Sequence, residues 1–242
     1  MPVRSLRALL KKTLVDREQR LPRVWSNAEL RKYAPLLGGD VVNVSAWKDE
    51  DKEGRHYRDY FSAAATYART NYKSEARGMQ GVDGEVFLDL TAPLPAELRD
   101  RFDVVFNHTT LEHVYDVKPA FANLCAMSKD IVVLVVPFLQ AYHSDYGDFW
   151  RFSPEAVRRM FEGEGLTPLV VTCNRHAFSS VYVFAIASRH PARWRTRLDA
   201  QPQPNNGARP GARALFNIGA PRRLVDTLLG RGDASQQDGG HS

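Results

Sequence analysis

Two stretches of this chain concentrate side chains that could do chemistry. The first, YHSDYGDFWRF (142–152), sets an imidazole, two carboxylates, a guanidinium and several aromatic rings directly after a long apolar run. His143 is the natural general base there, since an imidazole with an ordinary pKa of about 6.5 accepts a proton at neutral pH. Tyr142 stands beside it as a second group able to meet a substrate. A plainer use of the same residues is an Asp148–Arg151 ion pair, with Phe149, Trp150 and Phe152 packing a lid in the core. The second stretch, TTLEHVYD (109–116), offers Glu112 and His113. His113 is a second base, or the pair simply orients the start of a helix.

Familiar signatures of other chemistries are missing: the sequence has no GxSxG, no P-loop, no HExxH and no EF-hand loop. Cys125 and Cys173 stand 48 positions apart with no CxxC and no nearby His cluster, which indicates neither a disulfide framework nor a zinc site. We therefore expect no metal and a reducing, cytoplasmic setting. The longest apolar run, IVVLVVPFL (131–139), is far shorter than the roughly 20 residues that span a bilayer.

The elements that must position these groups follow from periodicity. Strand-like runs fall at 40–44, 65–70, 84–90, 102–107, 130–137, 167–174 and 180–188. The run VVLVV has no polar face, as expected of a strand covered on both sides. Helices fit between most of them, at 59–64, weakly at 92–99, at 117–128 and at 153–165. In the last, Ser153 is an N-cap and Pro154 suits the first helical position. The alternation predicts an α/β fold: a Rossmann-like, doubly wound, seven-stranded, mostly parallel sheet closed by an antiparallel C-terminal hairpin. Its ligand crevice should lie at the carboxyl ends of the strands.

Three segments are expected: residues 1–37 as an N-terminal helical extension, 38–190 as the main domain, and 191–242 as a basic Pro/Gly-rich linker, a short helix (221–230) and a disordered tail. In the first, Leu6, Leu9, Leu10 and Leu14 make one amphipathic helix, and a second starts at Ser26 or Asn27 and closes at Gly38-Gly39. Charge is unevenly spread: residues 1–20 hold six Lys/Arg against two Asp/Glu, 191–242 eight against four, and 21–190 nineteen against twenty-two. A slightly acidic body does not suit a nucleic-acid groove, whereas the basic ends could touch an anionic membrane surface. Solvated termini are the simpler use. Nothing in these patterns fixes an oligomeric state.

The stretches FDVVFNHTTLEHVYDVKPAFANL and DIVVLVVPFLQAYHSDYGDFWRFSPEAVRRMFEGEGL resemble class I S-adenosylmethionine-dependent methyltransferases, and among them the bacterial branch associated with cell-surface polysaccharide synthesis. The resemblance covers roughly residues 38–190 and implies methyl transfer to a small-molecule or glycan acceptor. It places an acidic residue and G-x-G-x-G after the first strand, at positions that here carry Asn43, Ser45, Trp47 and Asp49. On this alignment Asn43 and Ser45 line the cofactor, Asn71 takes the ribose hydroxyls, Asp89 meets the adenine amino group, and Asn107 and His108 line the cofactor from the fourth strand. Trp47 would occupy the path of the methionine moiety unless the loop is reshaped. The alternative is a non-catalytic relative that keeps the fold and serves as a binding or scaffold component of a surface-polysaccharide pathway.

Overall fold

The computed structural model describes residues 16–73, 78–143, 147–175 and 179–198. The amphipathic stretch around Leu6–Leu14, the 221–230 helix and the tail beyond it lie outside these residues.

All seven strands form. They are β1 (Gly39–Val44), β2 (Ala64–Asn71), β3 (Glu85–Phe87), β4 (Phe102–His108), β5 (Ser128–Leu139), β6 (Thr167–Cys173) and β7 (Val181–Ser188), in the order β3-β2-β1-β4-β5-β7-β6. β1 pairs in parallel with both β2 and β4, and β4 in parallel with β5, while β7 runs antiparallel to β5 and β6. The fold class expected from the pattern is therefore the one observed. The short link after β6 forces its partner to return antiparallel, because a parallel pairing needs a long crossover.

Alternation along the strands divides the core into two faces. Val42, Val44, Val105, Val132, Leu134 and Val136 face α2 (Val117–Ala126) and α3 (Pro154–Gly163), which contribute Phe121, Leu124, Val157 and Phe161. Val41, Val104, Phe106, Ile131, Val133 and Phe184 face α1 (Asp16–Tyr33) and the turn after it, through Leu30, Ala34 and Leu37. The apolar run in β5 is thus buried on both sides, as its composition requires.

Three local expectations change. α1 runs unbroken through Ser26 and Asn27, so neither caps a helix; both side chains are buried, Ser26 against His108 at the end of β4 and Asn27 against the loop after β1. The segment 59–64 is no helix, and only a single 3-10 turn, Tyr57–Tyr60, lies between β1 and β2. Helix 92–99 likewise shrinks to the 3-10 turn Ala96–Leu98. With no crossover helix after β1, α1 and the aromatic residues Tyr57, Tyr60 and Phe61 cover that face. Residues 191–198 continue onto the same face, where Leu198 is buried and Trp194 Nε1 donates to Asp130 Oδ2 at 2.8 Å.

The cap on α3 forms as expected, with Ser153 Oγ accepting from Ala156 N at 3.1 Å. Ser153→Ala should cost about 1 kcal/mol, a fall of about 2–4 °C in melting temperature. A circular-dichroism melt checks this, and an unchanged midpoint would show the cap to be idle. No helix among the described residues is long and apolar enough to cross a membrane.

Candidate functional site

β1 turns toward β2 on one side while β4 lies on its other side, which makes the carboxyl ends of β1 and β4 the switch point of the sheet. A crevice of about 620 Å³ opens there, large enough for a nucleotide-sized ligand. Asn43, Ser45, Trp47, Asn71, Asp89, His108 and His113 all line it, as does Arg23 from α1. Asn107 is on β4 but fully buried, its Nδ2 donating to Val44 O at 2.9 Å. Neither His143 nor Tyr142 lines the crevice, and Tyr142 is 74% exposed.

The loop after β1 keeps a specific backbone shape without glycine. Ser45, Trp47 and Asp49 have φ of 58°, 49° and 63°, so all three positions aligned with glycines adopt the left-handed conformation that favours glycine. Each such residue costs roughly 1–2 kcal/mol relative to glycine. Lys52 (φ 61°) and Thr109 (φ 50°) are strained in the same way, so five of the six left-handed non-glycine residues among those described fall in the two loops at the crevice. Strain of this kind persists only where surrounding contacts overdetermine it.

Those contacts are on display. Asn71 at the end of β2 clamps the Trp47 peptide: its Oδ1 accepts from Trp47 N at 2.7 Å, and its Nδ2 donates to Trp47 O at 3.1 Å. The same Nδ2 donates to Glu85 Oε1 at 2.5 Å, so the amide is engaged on both of its ends. Asp49 is buried, and its carboxylate accepts from Asn43 Nδ2 (2.7 Å), Tyr67 Oη (2.7 Å) and Arg58 N (3.1 Å), tying β1, β2 and the loop together. Asp51, also buried, accepts from Glu53 N, Arg55 N and Tyr60 Oη. Burial opposes its ionised form, but these donors win and hold its carboxyl below the usual range. Trp47 and Ser45 both form part of the crevice wall.

At the β4 end, Arg23 donates to Tyr57 Oη (3.1 Å) and Thr109 Oγ1 (3.0 Å) and lies 3.3 Å from His108 Nδ1. His108 Nε2 is 2.9 Å from Ser26 Oγ. Burial, and then the Arg23 and Lys52 cations, lower the His108 pKa well below its ordinary value, so the ring stays neutral. No carboxylate pairs with Arg23 among the described residues. Nothing in the sequence spacing pointed to Arg23, because it falls between the two helices expected of the N-terminal extension and meets Tyr57, His108 and Thr109 across 34, 85 and 86 residues.

Next to this wall the 147–152 segment docks on the 3-10 turn Leu111–His113. Phe149 N donates to Glu112 O (2.7 Å), Trp150 Nε1 donates to the carbonyls of Val114 and Tyr115, and His113 Nδ1 lies 2.6 Å from Gly147 O. Asp148 and Arg151 form the expected ion pair, with Nη1 to Oδ1 at 2.5 Å. Despite burial, Arg151 and the His143 N–H hold the Asp148 carboxyl down at about 2. Of the aromatic lid only Phe152 is buried; Phe149 and Trp150 are exposed, because the segment lies along the surface of the turn instead of under it. Glu112 is fully buried, and burial pushes its carboxyl up to about 8. Burial likewise lowers both His113 and His143, against the Gly147 carbonyl in one case and Asp148 in the other.

The architecture is that of the class I methyltransferase fold, and solved structures with that fold superpose on it. A Bacillus halodurans C-125 protein described as a methyltransferase matches with a TM-score of 0.51 and 12% identity, over 67% of this chain and 97% of its own. A chain from the complex between the Haloferax volcanii Trm112 methyltransferase activator and the protein described as its methyltransferase matches with a TM-score of 0.50 and 14% identity, over 69% of this chain and 90% of its own. No protein-family model matches the sequence, and no curated protein matches it.

Proposed function

We propose that the crevice binds S-adenosylmethionine and that the chain transfers its methyl group to a small-molecule or glycan acceptor. The observation that carries this reading is the retained left-handed backbone at Ser45, Trp47 and Asp49 beside an open crevice. Backbone strain of this kind clusters at ligand sites, and here it falls at the three positions that align with the glycines of a cofactor loop. On this reading Ser45, the Trp47 backbone and Asn43 lie along the cofactor, and Asp89, a carboxylate kept low by Thr91 and Ala92 despite partial burial, faces the adenine. Asn71 acts mainly through the Trp47 clamp. The cofactor supplies an electrophilic methyl group; what the protein must add is in-line placement of the acceptor.

The acceptor end is then the wall formed by Arg23, His108 and His113. A guanidinium with three uncharged partners suits an acceptor that carries an acidic group. The stretches that resemble the surface-polysaccharide branch make a glycan or glycan precursor the acceptor class we favour. A non-catalytic scaffold role has one observation in its favour, the engagement of Asn71 by Trp47 and Glu85, which leaves no carboxylate at the ribose position.

Calorimetric titration with S-adenosylhomocysteine separates the two. Methyltransfer predicts saturable binding with Kd below about 1 mM and a stabilisation of about 2.7 kcal/mol at a hundredfold excess over Kd. The absence of heat and of any thermal shift at millimolar ligand would leave the scaffold role.

A further inference from the structure

The fold assembles a cluster that sequence spacing did not indicate. Glu112, His113 and His143 each present one ligand atom, and these atoms all lie within 4.8 Å of one another. Thirty residues separate the two histidines; docking of the 147–152 segment on the Leu111–His113 turn closes the gap and sets their rings 5.2 Å apart.

Glu112 is 0% exposed, yet neither carboxylate oxygen has a hydrogen-bond partner. A buried carboxylate in that state is costly, and a group so placed calls for a partner. His143 Nδ1 is also buried, with Asp148 Oδ2 3.3 Å away. His113 is already oriented as ligating imidazoles usually are. Its Nδ1 side faces the Gly147 carbonyl at 2.6 Å, and its Nε2 side faces Glu112 Oε1 at 3.7 Å. Of the two cations that act on Glu112, Arg151 is paired through both of its terminal nitrogens with Asp148, and Arg23 donates to Tyr57 and Thr109.

We propose that Glu112, His113 and His143 bind a divalent transition-metal ion, with Gly147 O and Asp148 orienting the two imidazoles. Two nitrogen donors and one carboxylate suit zinc, cobalt or iron(II) better than magnesium or calcium, and three protein ligands leave positions open. His113 also lines the crevice, so the ion sits on the wall that the crevice shares with the docked segment. The assignment stands on the cluster itself and holds whether or not the chain transfers methyl groups. It also replaces the general-base role expected of His143 and His113 with metal ligation.

The test uses the full chain, stripped with a chelator and titrated with zinc by calorimetry and with cobalt(II) by visible absorption. One equivalent should bind. Asp148→Asn, which touches the site only through His143, should weaken binding about 10- to 100-fold, and Glu112→Gln and His143→Ala should weaken it further. His56→Ala, an exposed histidine elsewhere, should leave it unchanged. X-ray absorption of the zinc-loaded wild type gives a reading that needs no variant: two imidazoles with oxygen donors and no sulfur. Failure to bind an equivalent, equal affinity in the Glu112→Gln and His143→Ala variants, or sulfur in the zinc shell would overturn the proposal.

Discussion

Asn71→Asp should loosen the loop after β1 and lower the melting temperature, although it restores the residue type that a ribose-binding position ordinarily carries. The Asn71 amide gives hydrogen bonds from Nδ2 to Trp47 O and to Glu85 Oε1. A carboxylate can give neither. It would set an acceptor against the Trp47 carbonyl and a second negative charge against Glu85, which four contacts from Gln80, Gly81 and Val82 backbone N–H groups hold in place. Losing a charge-assisted hydrogen bond removes about 1.5–3 kcal/mol, and the new repulsion adds to that. The expected fall in melting temperature is about 5–10 °C, with S-adenosylhomocysteine binding no tighter than in the wild type. A variant as stable as the wild type that binds the ligand more tightly would show that Asn71 is simply a weakened carboxylate.

Asp49 should prove more sensitive still. Asp49→Ala leaves Asn43 Nδ2, Tyr67 Oη and Arg58 N without their acceptor in a buried site, a loss of about 3–5 kcal/mol. Asp49→Gly is the informative partner, because glycine removes the left-handed strain at φ 63° while still deleting the carboxylate. It should recover only about 1 kcal/mol of the loss. Chemical denaturation of both variants measures the difference. If Asp49→Gly matched the wild type, the carboxylate would contribute nothing and the position would be a plain glycine substitute. The expected order, wild type above glycine above alanine, would instead show that this loop exchanges glycine's freedom for side-chain ties.

These two experiments bear on one design. A glycine loop takes its shape because nothing forbids it, whereas this loop takes a similar shape because Asn71, Asp49 and Asp51 enforce it. α1 joins in, through Asn27 Nδ2 on Asp51 O and Arg31 on Glu53 and Tyr60. The loop and α1 together fill the role of the helix that is missing after β1.

Much of the fold was legible in the chain. Apolar runs of the right length gave all seven strands, the brevity of the β6–β7 link gave the antiparallel pairing, and Ser153-Pro154 marked the start of α3, because each of these signals acts over a few neighbouring residues. The helices predicted at 59–64 and 92–99 failed for the converse reason: their apolar residues are anchored individually by tertiary contacts, Phe61 against Phe106 for one, and never needed a helical face.

The candidate site divides along the same line. Which residue types stand at the strand ends, and that three glycine positions are filled, is written in the sequence. The Trp47 backbone, with φ of 49°, is held by Asn71 from 24 residues away, so the part of the crevice wall it forms exists only in the folded chain. The same holds for Arg23 beside His108 and for Glu112 beside His143. Sequence determines local propensity and alternation; long-range packing decides which distant charges and imidazoles meet, because those contacts depend on register and docking across the whole sheet.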